Sequence, residues 1–262
     1  MSAAERWSEA LKAWSIPESI LSQAPESPWI HPPELFDVPD TIPTSPSHER
    51  AKEALGEEGS VLDVGCGGGM ATYALVPHIR KGVGVDHQAE MLEMYSTNGV
   101  RFGVDVETIE GFWPEAAPEA PVCDVAVAHH VAYNVPDIVP FLRALNQHAR
   151  RRVVLELPAT HPLTNMTKAW QHFWDLERPS GPSPSDLVEV AKEMGIAAGL
   201  ETWTGSTRGD QDLDQTARFM RVRLCLPAER DPEIREFLAN QEPVVERALA
   251  AVWWDVVSGA RS

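Results

Sequence analysis

Four glycines within five residues constrain the fold of this chain more than any other feature. They follow a short β-forming run, and residues 61–69 have the sequence Val-Leu-Asp-Val-Gly-Cys-Gly-Gly-Gly. Residues 70–75 are then typical of a helix. A strand, a glycine turn and a helix start predict a pocket lined by backbone N–H groups. Glycine lets a ligand approach the backbone closely, and a helix N-terminus favours a negative group beside it.

The spacing of these glycines distinguishes between cofactor classes. From Asp63 the pattern is Asp-x-Gly-x-Gly-x-Gly, whereas the dinucleotide fingerprint Gly-x-Gly-x-x-Gly needs a third glycine where this chain has Met70. A nicotinamide-dependent oxidoreductase is therefore disfavoured. The stretch resembles motif I of class I S-adenosylmethionine-dependent methyltransferases, and the resemblance extends over about residues 47–158. It implies S-adenosylmethionine as the cofactor and methyl transfer as the reaction.

The resemblance also implies where the cofactor binds. In this family the acid that ends the second strand, here Asp86, accepts hydrogen bonds from both ribose hydroxyls; capping of a helix over about residues 89–95 is the alternative role. Many members have an Asp near the adenine, where this chain has Phe112 and Trp113. Aromatic packing is the expected substitute, unless Trp113 belongs to the core. The predicted cofactor-binding residues are Asp63, Gly65, Cys66, Gly67, Gly69, Asp86, His87, Met91, Gly111, Phe112, Trp113 and His129.

Candidate catalytic residues lie beyond the predicted fourth and fifth strands. Residues 124–128 lead into His129 and His130, and residues 153–158 contain Glu156 near their end. Ligands of doubly wound sheets bind beyond the carboxyl ends of the strands. Adjacent histidines point in different directions, so we expect at most one to face a substrate. If the nucleophile is a hydroxyl or a carboxylic acid, the candidate bases are His129 or His130, then His161, His172 or Glu156.

The order of helices and strands predicts an α/β fold with a helical and proline-rich extension at the N-terminus. The resemblance implies a doubly wound, mostly parallel seven-stranded sheet with helices on both faces and an antiparallel last strand. Residues 1–46 form a predicted extension, with a helix over residues 3–15 and a proline-rich strap over residues 25–46. The helix is expected either to pack on the core or to cover the site as a lid.

Residues 47–262 form the predicted methyltransferase domain. Within it, the aromatic-rich residues 159–183 are expected to roof the substrate, or else to fill a small core of their own. A helix over residues 137–149 is predicted to end in Arg150, Arg151 and Arg152, before a strand that starts at Val153.

Charge and composition limit the partners. The 262 residues include 22 basic and 39 acidic side chains, and the net charge of −17 opposes nucleic acids and anionic membranes. The run after His129 also lacks the Asn/Asp-Pro-Pro-aromatic and Pro-Cys motifs of nucleic-acid methyltransferases. We therefore expect a small-molecule acceptor.

Cysteine usage and the N-terminal residues predict the compartment. Three widely spaced cysteines predict reduced thiols in the cytoplasm and no metal site. The first residues contain no apolar run of the kind found in signal peptides.

Two other functions are compatible with the same motifs. The chain could bind the cofactor without transferring a group, as a regulatory module. It could also transfer an aminopropyl group to a polyamine, which the acidic surface favours. However, the region around His129 lacks the pair of aspartates expected to bind two ammonium groups.

Overall fold

A seven-stranded sheet organises the computed structural model, which describes residues 1–29, 36–206, 212–241 and 246–257. The strands are β1 (Gly59–Val64), β2 (Ile79–Asp86), β3 (Asp105–Glu110), β4 (Cys123–His129), β5 (Ala149–Pro158), β6 (Gly199–Ser206) and β7 (Glu246–Asp255). Their order is β3-β2-β1-β4-β5-β7-β6. The pairs among β1–β5 are parallel, and β7 is antiparallel to both of its neighbours. This confirms the predicted sheet, including its antiparallel last strand.

The helices of the described ranges connect and cover these strands. They are α1 (Ala3–Lys12), α2 (Glu18–Leu21), α3 (Pro46–Leu55), α4 (Met70–Tyr73), α5 (Ala89–Phe102), α6 (Ile138–His148), α7 (Thr167–Trp174), α8 (Pro184–Glu193), α9 (Leu213–Arg223) and α10 (Asp231–Ala239). Short 3₁₀ turns cover Ala117–Glu119, Ala132–Asn134, Pro162–Met166 and Ala228–Arg230. No helix in the described ranges is both long and apolar enough to cross a membrane.

Alternate residues of the central strands pack against helices on opposite faces of the sheet. Val61 contributes to a cluster with α3, α4 and α5, whereas the next residue, Leu62, contributes to one with α1, α6 and α8. Both side chains are fully buried. A parallel strand covered on both faces has to be apolar where it is buried, which explains why residues 61–64 of β1 are apolar apart from Asp63.

The N-terminal helix packs on the core. Ser2 and Glu5 form a capping box at its start, and Trp7 is fully buried. The indole N–H of Trp7 donates to the Val135 carbonyl oxygen at 2.9 Å, and its ring stacks on Tyr133 with centroids 5.8 Å apart. Of the two expected roles, the structure shows packing on the core for α1. The helix ends at Lys12, three residues before its predicted end.

A third apolar cluster lies between α7, α9 and α10. Trp170 is 1% exposed in this cluster and Ile234 of α10 is fully buried there. The Trp174 indole donates to the Leu224 carbonyl oxygen at 2.7 Å. Of the two roles expected for residues 159–183, the structure shows their tryptophans in this separate core, and the substrate-roof role stays a prediction.

The basic tripeptide also differs from its prediction. Strand β5 begins at Ala149, so Arg150, Arg151 and Arg152 lie in the strand and do not end α6. Arg152 pairs with Glu53 of α3 at 2.8 Å and with Asp255 of β7 at 2.7 Å. These partners are distant in sequence, so the local pattern that predicted a helix end could not indicate them.

Candidate functional site

The glycine turn joins β1 to α4 in a conformation that side chains rarely adopt. Gly65, Gly67 and Gly69 have φ angles of 69°, 49° and 93°. The Gly65 and Cys66 N–H groups both donate to the Val85 carbonyl oxygen, at 2.8 and 3.1 Å. A Cβ atom on Gly65 would lie 2.5 Å from Val131, which follows β4. The turn is therefore enclosed between the end of β2 and the loop after β4.

Asp86 ends β2 beside this turn. Its Oδ2 accepts the Gly67 N–H at 3.1 Å, and its Oδ1 accepts the Gln88 N–H at 3.1 Å. A carboxylate can accept about four hydrogen bonds, so each oxygen keeps capacity for one more donor. The N-cap of α5 is Gln88, not Asp86. The carboxylate is thus positioned at the turn and retains the acceptor capacity that a sugar diol needs.

An aromatic edge lies next to Asp86. The Gly111 N–H donates to the Asp86 carbonyl oxygen at 2.9 Å, which brings the turn after β3 against the end of β2. Phe112 is 66% exposed there and stacks on His87 with centroids 4.6 Å apart. Trp113 points the other way, into the core, and its indole donates to the Phe141 carbonyl oxygen at 3.3 Å. The predicted cofactor contact of the Trp113 ring is therefore wrong, and Phe112 presents the exposed ring.

Two predicted cofactor residues support the turn from below. Asp63 is buried and accepts the Thr72 hydroxyl of α4 at 2.8 Å. Burial, opposed by the Thr72 hydrogen bond and assisted by nearby Asp86, raises the pKa of Asp63 to about 7. Cys66 lies in the apolar cluster beneath the turn. Both side chains are enclosed by protein and hold the turn in place, and the cofactor contacts predicted for these two residues stay predictions.

Met91, which was predicted to bind the cofactor, lies in the first turn of α5 and is 2% exposed. Its predicted role therefore depends on how closely a bound cofactor packs against α5, and it stays a prediction.

The strap reaches the glycine turn through Phe36. A Cβ atom on Gly67 would lie 3.0 Å from the Phe36 ring. Two residues further on, the Val38 carbonyl oxygen accepts a hydrogen bond from Arg101 of α5 at 2.7 Å. Residues 30–35 of the predicted strap lie outside the described residues. A ligand bound at the turn has to contact or displace Phe36.

Four polar side chains surround the carboxylate of Glu156, near the end of β5. His130 Nε2 lies 3.2 Å from Oε1, and His129 Nδ1 lies 4.0 Å from Oε2. The Ser45 hydroxyl donates to Oε2 at 2.7 Å, and the Ser47 hydroxyl donates to the same oxygen. Burial alone would raise the pKa of Glu156, but the hydrogen bond from His130, the electrostatic effect of the two adjacent imidazoles and the Ser47 hydroxyl more than offset it and hold this pKa well below its usual range.

The two adjacent histidines have different environments. The His129 side chain is 10% exposed, and burial lowers its pKa to about 3. His130 has a φ angle of 62°, its N–H donates to the Glu156 carbonyl oxygen at 2.6 Å, and its side chain is 40% exposed. Which of the two faces a substrate stays a prediction, and the more exposed side chain is that of His130. It directly precedes Val131, the residue that packs against Gly65.

Sequence reasoning missed the contribution of α3 to this cluster. Ser45 and His48 form a capping box, in which the Ser45 N–H donates to His48 Nδ1 at 3.0 Å. The ring of buried His48 lies 5.1 Å from that of His129. The Ser-Pro start of α3 was recognisable in the sequence as a helix cap. Nothing local indicated that this cap faces Glu156, more than 100 residues away.

The other two candidate histidines lie apart from this cluster. His161 is 8% exposed, stacks on Trp14 at 4.1 Å, and accepts the Leu163 N–H on Nδ1; burial lowers its pKa to about 4. His172 is exposed on α7 and contacts Phe237 of α10. The first is packed among aromatic rings and the second belongs to the α7–α10 surface, and the catalytic roles predicted for them stay predictions. In the described part of the chain, no three His, Cys, Asp or Glu side chains are grouped as metal ligands.

The order of the sheet, the glycine turn and Asp86 together define a Rossmann-like fold of the kind that binds nucleotide-containing cofactors. A family model described as a methyltransferase domain matches residues 43–198, more than half of the chain. The chain therefore belongs to the class I S-adenosylmethionine-dependent methyltransferase family, as the motifs predicted. S-adenosylmethionine is its cofactor.

Individual relatives are more distant. Ribosomal protein L11 methyltransferase of Vibrio campbellii is 31% identical over 87 residues, which cover 33% of this chain and 29% of the relative. The chain thus matches less than a third of the length of that relative. An uncharacterised protein of Haemophilus influenzae is 26% identical over 218 residues, covering 75% of this chain and 76% of the relative.

Solved structures share the fold at low identity. A protein assigned as a methyltransferase from Bacillus halodurans C-125 has a TM-score of 0.56 and 15% identity, covering 82% of this chain and all of the other. The YcgJ protein of Bacillus subtilis has a TM-score of 0.53 and 18% identity, covering 81% and 99%.

The residues present fit this cofactor. Asp86 has acceptor capacity beside Gly67, which suits the ribose hydroxyls. Phe112 presents an exposed ring beside His87, which suits the adenine. The positive-φ glycines keep the backbone open to a close ligand, with Phe36 as a further wall.

Proposed function

We propose that this protein transfers a methyl group to a protic nucleophile, a hydroxyl or carboxylic acid of a small molecule, and that His130 is the general base. One observation carries the proposal: the contact of His130 Nε2 with the Glu156 carboxylate at 3.2 Å, beside the loop that packs against the glycine turn. Bound S-adenosylmethionine supplies an electrophilic methyl group on a sulfonium.

The Glu156 contact selects the basic atom of His130. A carboxylate favours a proton on the nitrogen that faces it, so Nε2 carries the proton and Nδ1 keeps its lone pair. Nδ1 can then accept the proton of the attacking group while the new bond to the methyl carbon forms and the carbon–sulfur bond breaks. The resulting imidazolium is stabilised by Glu156, as in other carboxylate–histidine pairs.

Glu156 remains charged because of its partners. Two serine hydroxyls and the N-terminus of α3 stabilise the carboxylate, and its pKa lies well below the usual range. A carboxylate that is never protonated near neutral pH is a poor general base. It is well suited to orient His130, and we assign it that role.

The rest of the surroundings favour a small acceptor. The net charge of −17 repels phosphate backbones. The aminopropyl alternative needs carboxylates that are free to bind ammonium groups, whereas Glu156 is already paired with His130 and the two serines. The non-catalytic alternative predicts cofactor binding without turnover, which the next experiment distinguishes.

The test measures release of S-adenosylhomocysteine with a panel of phenols, carboxylic acids and amines. For any phenol that is turned over, His130→Asn is expected to lower kcat by about 10²- to 10⁴-fold, the usual contribution of a general base. Binding of S-adenosylhomocysteine should be unchanged, because His130 lies outside the turn.

His172→Asn is the matched control, since this exposed histidine belongs to another surface. It should behave as the parent protein does. Equal turnover by the His130→Asn variant and the parent across the pH range would contradict the assignment. Tight cofactor binding with no acceptor turned over would favour the regulatory alternative.

A further inference from the structure

Two buried imidazole nitrogens next to the proposed base have no partner among the described residues. They are Nε2 of His48 and Nε2 of His129, and both are inaccessible to solvent. Their rings are 5.1 Å apart and inclined by 43°. Buried polar atoms without a hydrogen-bond partner destabilise a protein, so two such atoms in adjacent rings point to a polar group that binds to both.

The proton on His48 can be placed from its other nitrogen. The backbone N–H of Ser45 donates to His48 Nδ1 at 3.0 Å, so Nδ1 carries a lone pair. Burial, partly offset by Glu156, lowers the pKa of this histidine, and the ring is neutral near pH 7. In a neutral imidazole only one nitrogen is protonated. The unpartnered Nε2 of His48 is therefore a hydrogen-bond donor.

His129 has the opposite arrangement. Its Nδ1 is the nitrogen nearer Glu156, 4.0 Å from Oε2, and the negative charge favours a proton there. The ring is neutral as well, because burial lowers its pKa to about 3. Its unpartnered Nε2 is therefore an acceptor. One unpartnered donor and one unpartnered acceptor thus lie on adjacent rings, where α3 packs against the end of β4.

We infer that His48 and His129 form a subsite for a neutral hydroxyl group of the substrate, which accepts from His48 and donates to His129. A carbonyl oxygen could only accept, and an ammonium could only donate. A carboxylate would be repelled by Glu156, which lies beside both rings. This inference rests on the proposed function, because it assumes that the acceptor binds beyond β4. It narrows the methyl acceptor to a molecule that contains a hydroxyl group. That hydroxyl is either the nucleophile itself or a second group of the same molecule.

The test uses ¹⁵N-histidine NMR on the full chain saturated with S-adenosylhomocysteine. The probes are methanol and phenol. Toluene is the control, because it differs from phenol in having a methyl group in place of the hydroxyl. We expect both alcohols, but not toluene, to shift the Nε2 signals of His48 and His129. Before any addition, the His48 signals should show a proton on Nε2.

A pair of variants separates the subsite from the helix cap. In His48→Asn, the side-chain oxygen can still accept the Ser45 N–H, but the Nε2 donor is lost. In His48→Gln, the amide nitrogen retains a donor near that position and the cap is lost. Phenol affinity should fall about tenfold in the Asn variant, as for one buried hydrogen bond, and be retained better in the Gln variant.

Three results would overturn the subsite. They are unchanged Nε2 signals with both alcohols, equal responses to phenol and toluene, and equal phenol affinity in the parent and His48→Asn proteins. A normal response to alcohols together with absent methyl transfer would refute the proposed function and not the subsite. The reverse pattern would refute the subsite alone.

Discussion

Asp63→Asn should change how the stability of this fold depends on pH. In the unfolded chain this carboxyl titrates near its ordinary value of 3.8, and in the folded protein burial raises its pKa to about 7. Between these values the folded protein holds a proton that the unfolded chain has lost. The free energy of unfolding therefore falls as the pH rises through this interval, and the contribution of Asp63 is complete only below about pH 4.

The size of the effect follows from the two values. A difference from 3.8 to about 7 corresponds to about 4 kcal/mol in total. Measurements near the isoelectric point of about 4.9 favour association, so the accessible interval starts at about pH 5.5. From pH 5.5 to pH 8, the free energy of unfolding that Asp63 contributes is expected to fall by about 2 kcal/mol. Asp63 is 1% exposed, so solvent screening does not reduce this figure appreciably.

Urea unfolding at a series of pH values measures the effect. In the Asp63→Asn variant, the side-chain oxygen can still accept the Thr72 hydroxyl, and any cost of burying the amide N–H₂ group is the same at every pH. The stability difference between variant and parent should therefore shift by about 2 kcal/mol in favour of the variant between pH 5.5 and 8. Parallel stability curves for the two proteins would refute the reasoning, because they would show that Asp63 titrates alike in the folded and unfolded states.

Three further substitutions test other parts of the site. Phe36→Ala should weaken S-adenosylhomocysteine binding about fivefold in calorimetry, because the ring covers the turn at Gly67 with roughly 1 kcal/mol of apolar contact; tighter binding would show that the ring occupies the place of the cofactor. Phe112→Ala should weaken the same binding without changing the melting temperature, since the ring is exposed. Trp113→Ala should instead lower the free energy of unfolding by about 3–5 kcal/mol in urea titrations, as for a buried aromatic residue; an unchanged stability would contradict its place in the core.

The sheet and the cofactor turn were predictable because their signals are local. The glycine spacing and the acid of Asp86 follow directly on strand-like runs, and backbone geometry at such a turn leaves few other residue types possible. The direction of a single ring was not predictable. Phe112 and Trp113 are neighbours in sequence, and only the packing of Phe141 from α6 shows which of them is buried.

The surroundings of Glu156 could not be derived because they join distant segments. Ser45, Ser47 and His48 come from the N-cap and first turn of α3, whereas His129 and His130 come from the last residue of β4 and the residue after it. Sequence reasoning correctly placed polar side chains at the carboxyl ends of the strands. It could not show that a helix cap lies opposite them.

The same reasoning could not separate functional from packing histidines. His161 has a stacked partner in Trp14, which is 147 residues earlier in the chain. A histidine among aromatic residues therefore gives the same sequence pattern whether it faces a substrate or fills a stack.

Calorimetric titration with S-adenosylhomocysteine tests most directly whether the glycine turn and Asp86 bind the cofactor. The parent protein should bind one equivalent, and Asp86→Asn should bind roughly 100-fold more weakly, because two hydrogen bonds to a charged acceptor are lost or weakened. Glu90→Gln, at an exposed acid in the first turn of α5, should bind as the parent does. Absence of binding by the parent, or equal affinity in the parent and Asp86→Asn proteins, would contradict the account.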